Sequence, residues 1–367
     1  MKLVFLQRLD QAGGGSRASL RGTLRALRDH LPDWQLTLVT GEAGPLGRAM
    51  LDRGVGHVVA SLPRFRKVWQ RPAFWWQCRA LAAALGDHQP DAILSNEWVT
   101  APHALAVARR LRIPAMSYVR DFAAVGNGRK YQLHRMDRLL CVCESMRQSL
   151  VAAGYEAARV RTVYNPILRP PAGDAPAEAR ARLAAASSVD RWLLYLGRIS
   201  PRKNQLAAVA TLKLLRQQSG RKWGLLLAGD ADDDYAAEVD RAADQAGLAA
   251  AVVRLGMVAA PGWLFELADA SVMTSKSEGL ARVLIESLLC GTPAFSYPLD
   301  GLGDVYGDAA ATYVAPHRQP EDLAATILAA LSDIDALRHR TAALGLTLEA
   351  RHSVRNHVAA FADALRA

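Results

Sequence analysis

The sequence predicts two α/β domains in tandem, each a doubly wound parallel sheet. Three observations carry this reading. At 367 residues the chain is longer than one ordinary core fills, so two domains of ordinary size are expected. Short apolar runs alternate with helical patterns along the chain, which is how βαβ units read. The alternation breaks once, near the middle, at a proline-rich stretch.

The first series of strands is "KLVFLQ", "WQLTLVT", "HVVAS", "DAILSN", "AMSYVRD" and "RLLCVCES", with helices between them, among them 16–30 and 101–111. Runs such as "AILS" and "LLCVC" are apolar at every position, so helices must cover both faces of the strand. In "VYNPILRPPAGDAPAEA", Pro166, Pro170 and Pro171 can continue neither a helix nor the middle of a sheet, which marks a linker. The second series runs "RWLLYLG", "WGLLLAGD", "VVRLGM", "ASVMTS", "TPAFSY" and "ATYVA", and a helical stretch over roughly 349–366 follows. Two Rossmann-like domains result, over 1–168 and 169–351.

Composition narrows the class. With 51% hydrophobic and 22% charged residues the chain is globular rather than disordered. No apolar run approaches the roughly 18 residues of a membrane span. In "MKLVFLQRLDQ" charge follows only four apolar residues, too few for a signal peptide, so the cytoplasm is the expected location. Cys78, Cys141, Cys143 and Cys290 show neither zinc nor C-x-x-C spacing and read as buried reduced thiols. The net charge of +10 is uneven. Residues 1–169 hold 25 Lys and Arg against 12 Asp and Glu, and the rest 20 against 23. The first half is therefore expected to face something anionic: a membrane surface, a phosphorylated acceptor or nucleic acid. No nucleic-acid-binding module is evident, which sets the last aside.

In "DQAGGGSRASL", Gly13, Gly15 and Ala18 satisfy G-x-G-x-x-A, the spacing of a dinucleotide-binding turn. In that fold the first strand runs directly into the first glycine. Here the strand ends near Gln7, and the acidic residue expected after the second strand would have to be Glu42, beyond Gly41. The spacing argues against a nicotinamide or flavin cofactor. Three consecutive glycines still let the backbone approach a ligand closely. Ser16 is expected to cap the following helix, whose free N–H groups would face an anion. A tight turn with no ligand is the alternative.

The second half carries "YLGRISPRKNQ" and "TSKSEGLARVLIESLLCGTP". A strand ending at Gly197 and a helix after Pro201 leave Arg198 and Lys203 at the strand's C-terminal edge, where open α/β sheets bind ligands. An Arg fork and a Lys point charge there can neutralise a diphosphate. A helix from about Ala281 puts Glu278 in the preceding loop and Glu286 on the helix's second turn, facing a mostly apolar neighbourhood. Such a carboxylate needs a partner, and a ribose diol is one. The N–H groups of Leu280 to Val283 would meet phosphates.

"SEGLARVLIESLLCGTP" resembles the E-x(7)-E signature of retaining family 4 glycosyltransferases of the GT-B fold, and "LGRISPRKN" their G-R-x(4)-K-N donor-phosphate motif. "TVYNPI", "LLLAGD" and "RLGMV" match further landmarks in order. The resemblance is near-continuous from about residue 137 onward and looser before. It implies two Rossmann-like domains facing a central cleft, with the last helix, about 352–367, packing back on the first. It implies that Arg198 and Lys203 bind the diphosphate of a UDP- or GDP-linked sugar, with no metal or other cofactor. Glu286 would hold the ribose, and Glu278 would lie beside the donor sugar with the N–H groups of Gly279 and Leu280. Met257 and Val258 would border the base, Val283 would line the donor site, and Gly14 and Gly15 would close on it. The activity implied is hexosyl transfer, with retention, to a glycolipid, lipid-linked oligosaccharide or surface polysaccharide precursor. A nucleotide-sugar binding protein without turnover, or an epimerase on the same fold, is the alternative.

Three departures stand out. In "YVRDF", Arg120 stands where many relatives carry His, while Asp121 is kept as a catalytic candidate. Arg120 cannot act as a base at neutral pH but can bind a phosphate or an acceptor hydroxyl. Ala281 replaces a common proline, and "SNEW" offers Asn96 and Glu97 where His is common, Glu97 being an acceptor contact or a loop residue. The stretch "RFRKVWQRPAFWWQCR" mixes cations and aromatics. Arg64, Arg66, Lys67, Trp69 and Arg71 would meet an anionic membrane there, at the inner face of the cytoplasmic membrane. The other reading buries Trp69, Phe74, Trp75 and Trp76 in the core.

Overall fold

The computed structural model describes residues 1–10, 15–63 and 71–366, Arg71 by its backbone alone. The chain forms two compact units, Met1–Pro166 with His352–Ala367, and Ile167–Arg351.

In the first unit the strands are β1 (Lys2–Gln7), β2 (Gln35–Thr40), β3 (Gly56–Val59), β4 (Ala92–Ser95), β5 (Ala115–Val119), β6 (Arg138–Cys141) and β7 (Val160–Thr162). They form one parallel sheet in the order β3-β2-β1-β4-β5-β6-β7. Every residue of β4 and β5 is buried, because helices pack on both faces. On helix Gly15–His30, Leu20, Leu24 and Leu27 are fully buried at helical spacing, each worth about 1.5–3 kcal/mol. Strand β7 was not expected: it has three residues at the sheet's edge, of which only Val160 is buried, too short for a period to show.

The helical stretch expected over roughly 349–366 is interrupted after Arg351, where helix Ile334–Arg351 ends, and the last helix, expected at about 352–367, runs Val354–Arg366. No proline or glycine marks the break. Buried His352 makes it, its Nδ1–H donating to Asn165 O at 2.9 Å, while His357 Nδ1–H donates to Tyr164 O at 2.7 Å. Phe361 then lies over Phe5 and Tyr118, ring centroids 6.1 and 6.2 Å away.

The second unit holds β8 (Arg191–Leu196), β9 (Trp223–Ala228), β10 (Val252–Gly256), β11 (Ala270–Met273) and β12 (Ala294–Ser296), parallel in the order β10-β9-β8-β11-β12. Alternate residues enter opposite layers. Leu193 and Tyr195 join one core, Trp192 and Leu194 the other. The expected strand "ATYVA" is instead a helical turn, Ala310–Tyr313, with a single bridge from Val314 to Ser296. The turn drives the Tyr313 ring inward against Tyr306, 5.2 Å between centroids, and its hydroxyl to Thr341 at 3.0 Å.

In each unit the chain order reverses at one place, between β1 and β4 and between β8 and β11. Loops after these strand pairs diverge, leaving a crevice at the C-terminal edge of the sheet. Among the described residues no helix is long and apolar enough to cross a membrane.

Candidate active site

In the second unit the crevice is walled by the loops after β8 and β11, and hydrogen bonds lace them together. Asn204, in the left-handed region at φ 56°, accepts from Thr274 Oγ1 at 2.7 Å and donates to Thr274 O at 3.3 Å. The buried Tyr195 hydroxyl donates to Lys203 O at 2.5 Å, and Lys276 N–H donates to Arg202 O at 2.8 Å. The helix expected after Pro201 starts only at Gln205, so Arg202 and Lys203 stay on the loop. This fixed backbone sends Lys203 Nζ to Glu278 Oε1 at 2.7 Å, with both side chains about nine-tenths buried (12% and 11% exposed). Arg202 Nη1 reaches the same oxygen at 3.3 Å. Arg198 is exposed, its carbonyl held by Gln205 Nε2 at 3.0 Å.

Glu286 sits on helix Arg282–Leu289, preceded by Ala281 as its cap. Its partner within the chain is Arg282, one turn earlier, at 3.0 Å. Burial pushes the Glu286 carboxyl above the usual carboxylate range, and Arg282 pulls the other way. Of the N–H groups expected to face phosphates, that of Arg282 is bonded to Leu280 O at 2.8 Å in the turn before the helix. Gly279, Leu280 and Val283 are half-buried. Met257 is 67% exposed and Val258 half-buried, both just past Gly256, whose carbonyl accepts from Gly229 N–H at 2.7 Å.

The reversal point of the first unit holds a polar network. Asn96 Nδ2 donates to Gln7 Oε1 at 2.6 Å and to Ser16 Oγ at 3.1 Å. Glu97 Oε1 accepts from Ser16 Oγ at 3.0 Å and from Gln7 Nε2 at 3.2 Å. Ser16 therefore does not cap its helix. The helix begins at Gly15, and the hydroxyl within its first turn bonds Glu97. Arg120 lies 4.1 Å from the Tyr118 ring centroid and donates to Asn96 Oδ1 at 2.6 Å and Asn165 Oδ1 at 2.7 Å. Its guanidinium joins the segments that follow β4 and β7 through these two amides. Asp121 accepts from Trp98 Nε1 at 3.1 Å. Gly14, Arg64, Arg66, Lys67 and Trp69 lie outside the described residues, as does the Arg71 side chain. On helix Arg71–Gly86 the two readings divide: Phe74 is buried, while Trp75 and Trp76 are 46% and 70% exposed.

Two family models match the chain, that of the glycosyl transferases group 1 over residues 184–344 and that of glycosyltransferase family 4 over residues 13–167. The chain is a family 4 glycosyltransferase of the GT-B fold. This glycosyltransferase is similar to the D-inositol 3-phosphate glycosyltransferase of Frankia alni, 29% identical over 69% of this chain and 70% of that one. It is also similar to O-antigen chain mannosyltransferase B of Escherichia coli, 28% identical over 45% of this chain and 43% of that one. Among solved structures, Anabaena HepE in complex with UDP-glucose aligns over 100% of this chain and 99% of its own, with a TM-score of 0.83 at 18% identity, a likeness of fold.

Sequence reasoning about this glycosyltransferase missed two cations, Arg202 and Arg282. The i,i+4 spacing of Arg282 and Glu286 was there to be read. Nothing in the spacing of Arg202 and Glu278, 76 residues apart, pointed to their pairing. Cys78, Cys141 and Cys143 are buried and Cys290 half-buried, and none of them is in a disulfide.

Proposed function

We propose that the glycosyltransferase moves a hexose from a UDP- or GDP-linked sugar to a hydroxyl of an anionic glycan or glycolipid, retaining the anomeric configuration and using no divalent metal. The observation that carries this is the buried Lys203–Glu278 pair at the C-terminal crevice between β8 and β11. A preorganised cation in a largely dry site can stabilise the negative charge that develops on a departing nucleoside diphosphate. Lys203 and Arg198 take the diphosphate, Glu286 the ribose hydroxyls and Glu278 the donor sugar. The acceptor oxygen bonds to the anomeric carbon on the face from which the diphosphate leaves, and its proton passes to the departing phosphate oxygen.

The excess of Lys and Arg in residues 1–169 supports an anionic acceptor, and Trp75 and Trp76 support presentation at the inner face of the cytoplasmic membrane. The relative from Frankia alni, named for an inositol phosphate, supports a phosphorylated acceptor.

The test is turnover with UDP- and GDP-hexoses in excess EDTA, acceptors being offered free or in anionic vesicles. Nucleoside diphosphate release with an α-linked product from an α-linked donor is expected, and Lys203→Ala should lower kcat/KM at least about 100-fold. Unchanged turnover in Lys203→Ala would remove the phosphate assignment. Failure to sediment with anionic vesicles at low salt would remove the membrane one.

A further inference from the structure

Two cations converge on one oxygen of Glu278, and they are held differently. Lys203 Nζ, at 2.7 Å, has Glu278 as its hydrogen-bond partner. Arg202 Nη1, at 3.3 Å, also donates to Ser277 O at 2.7 Å, and the Arg202 carbonyl is bonded to Lys276 N–H. Arg202 is thus fixed beside Glu278 without help from Lys203, and its side chain is 54% exposed where that of Lys203 is 12% exposed.

This matters because the donor reading asks two things of Lys203. It pairs with a largely buried carboxylate, yet it must meet a diphosphate. Withdrawing a cation from a desolvated carboxylate is strongly unfavourable when nothing replaces it. A second cation already on the same oxygen removes that obstacle. An Arg suits the place, since one planar guanidinium can serve a carbonyl and a carboxylate together.

We propose that Arg202 is a positioning residue: it keeps Glu278 compensated and in place while Lys203 turns to the donor diphosphate. The proposal rests on the donor-site reading above. Lys203 and Glu278 form a latch, and Arg202 lets it open.

The test is calorimetric titration with UDP and with GDP at about 0.3 M salt, where the Debye length falls below about 8 Å and distant charges count little. For whichever nucleotide binds the unchanged protein, Arg202→Ala should weaken binding about 10-fold and Arg202→Lys less. Glu278→Gln should bind the nucleotide at least as tightly as the unchanged protein, because Lys203 is released. Adding Arg202→Ala to Glu278→Gln should then change affinity by less than about 2-fold, since the two act through one interaction. An equal loss from Arg202→Ala in both backgrounds overturns the proposal, because Arg202 would then act on the nucleotide itself. So does no loss in Arg202→Ala, or weaker binding in Glu278→Gln. Failure of the underlying reading looks different: neither nucleotide binds, or Lys203→Ala binds as tightly as the unchanged protein. Thermal midpoints of the variants check that each is folded, and Arg202→Lys carries the comparison if Arg202→Ala is not.

Discussion

Glu286 shows how one side chain's surroundings set its working range. Burial raises its pKa because the charged form loses solvation, and the Arg282 guanidinium one helical turn away opposes the rise. If the ionised form holds the ribose, nucleotide affinity must decline on acidification sooner than an ordinary carboxylate would cause. Replacing Arg282 by Met removes the opposing charge and moves the carboxyl further up. The expected outcome is an acidic limb displaced to higher pH in Arg282→Met, with affinities converging toward about pH 8, in titrations of UDP or GDP from about pH 5. Parallel profiles would mean that Glu286 does not bind the nucleotide in its charged form. The sequence pointed to Glu286 as a carboxylate in need of a partner, and the structure shows a protein partner in place. Its position and its i,i+4 partner were both legible in the helical period, whereas the pairing of Glu278 with Arg202, 76 residues away, was not.

At the scale of elements, strands buried on both faces were the readable part, because a continuous apolar run leaves little choice. Elements decided by one contact were not readable. Strand β7, the helix break at His352 and the turn at Tyr313 each depend on a single buried group or a three-residue edge. The ends of β8 and β9 depend on glycine. Gly229 has φ +145°, and a Cβ there would fall 2.3 Å from Gly197 O. That approach sets the loop carrying Arg198, since Ile199 N–H donates to Asp230 O at 2.7 Å. Gly229→Ala must therefore shift one loop against the other, at about 2–4 kcal/mol in urea unfolding. Gly173→Ala, in open space, should stay within about 0.5 kcal/mol. Equal midpoints for the two variants would show that the contact is not required.

Over the whole molecule, charge and buried histidines fall on the same unit. His103, against the Phe74 ring, and His357, against Tyr164 O, are each 2% exposed or less. Burial lowers both from 6.5 to about 4, with Arg8 near His103, and Arg120 and His352 near His357, adding to the effect. A lowered folded pKa means that the unfolded chain takes the proton first. The stability is therefore full above about pH 6.5 and is lost as pH falls from there toward 4, by about 3 kcal/mol per histidine. Both groups belong to the first unit, whereas the second unit's His317 and His339 are exposed. Hydrogen exchange at about pH 7 and about pH 4.5, corrected for intrinsic rates, should show protection falling selectively in Met1–Pro166 and in the C-terminal helix Val354–Arg366. His103→Leu should recover part of it, because an apolar side chain of similar reach keeps the Phe74 contact and takes no proton. Equal loss in both units, or no recovery in His103→Leu, would place the acid sensitivity elsewhere, in the carboxylate pairs that both units share.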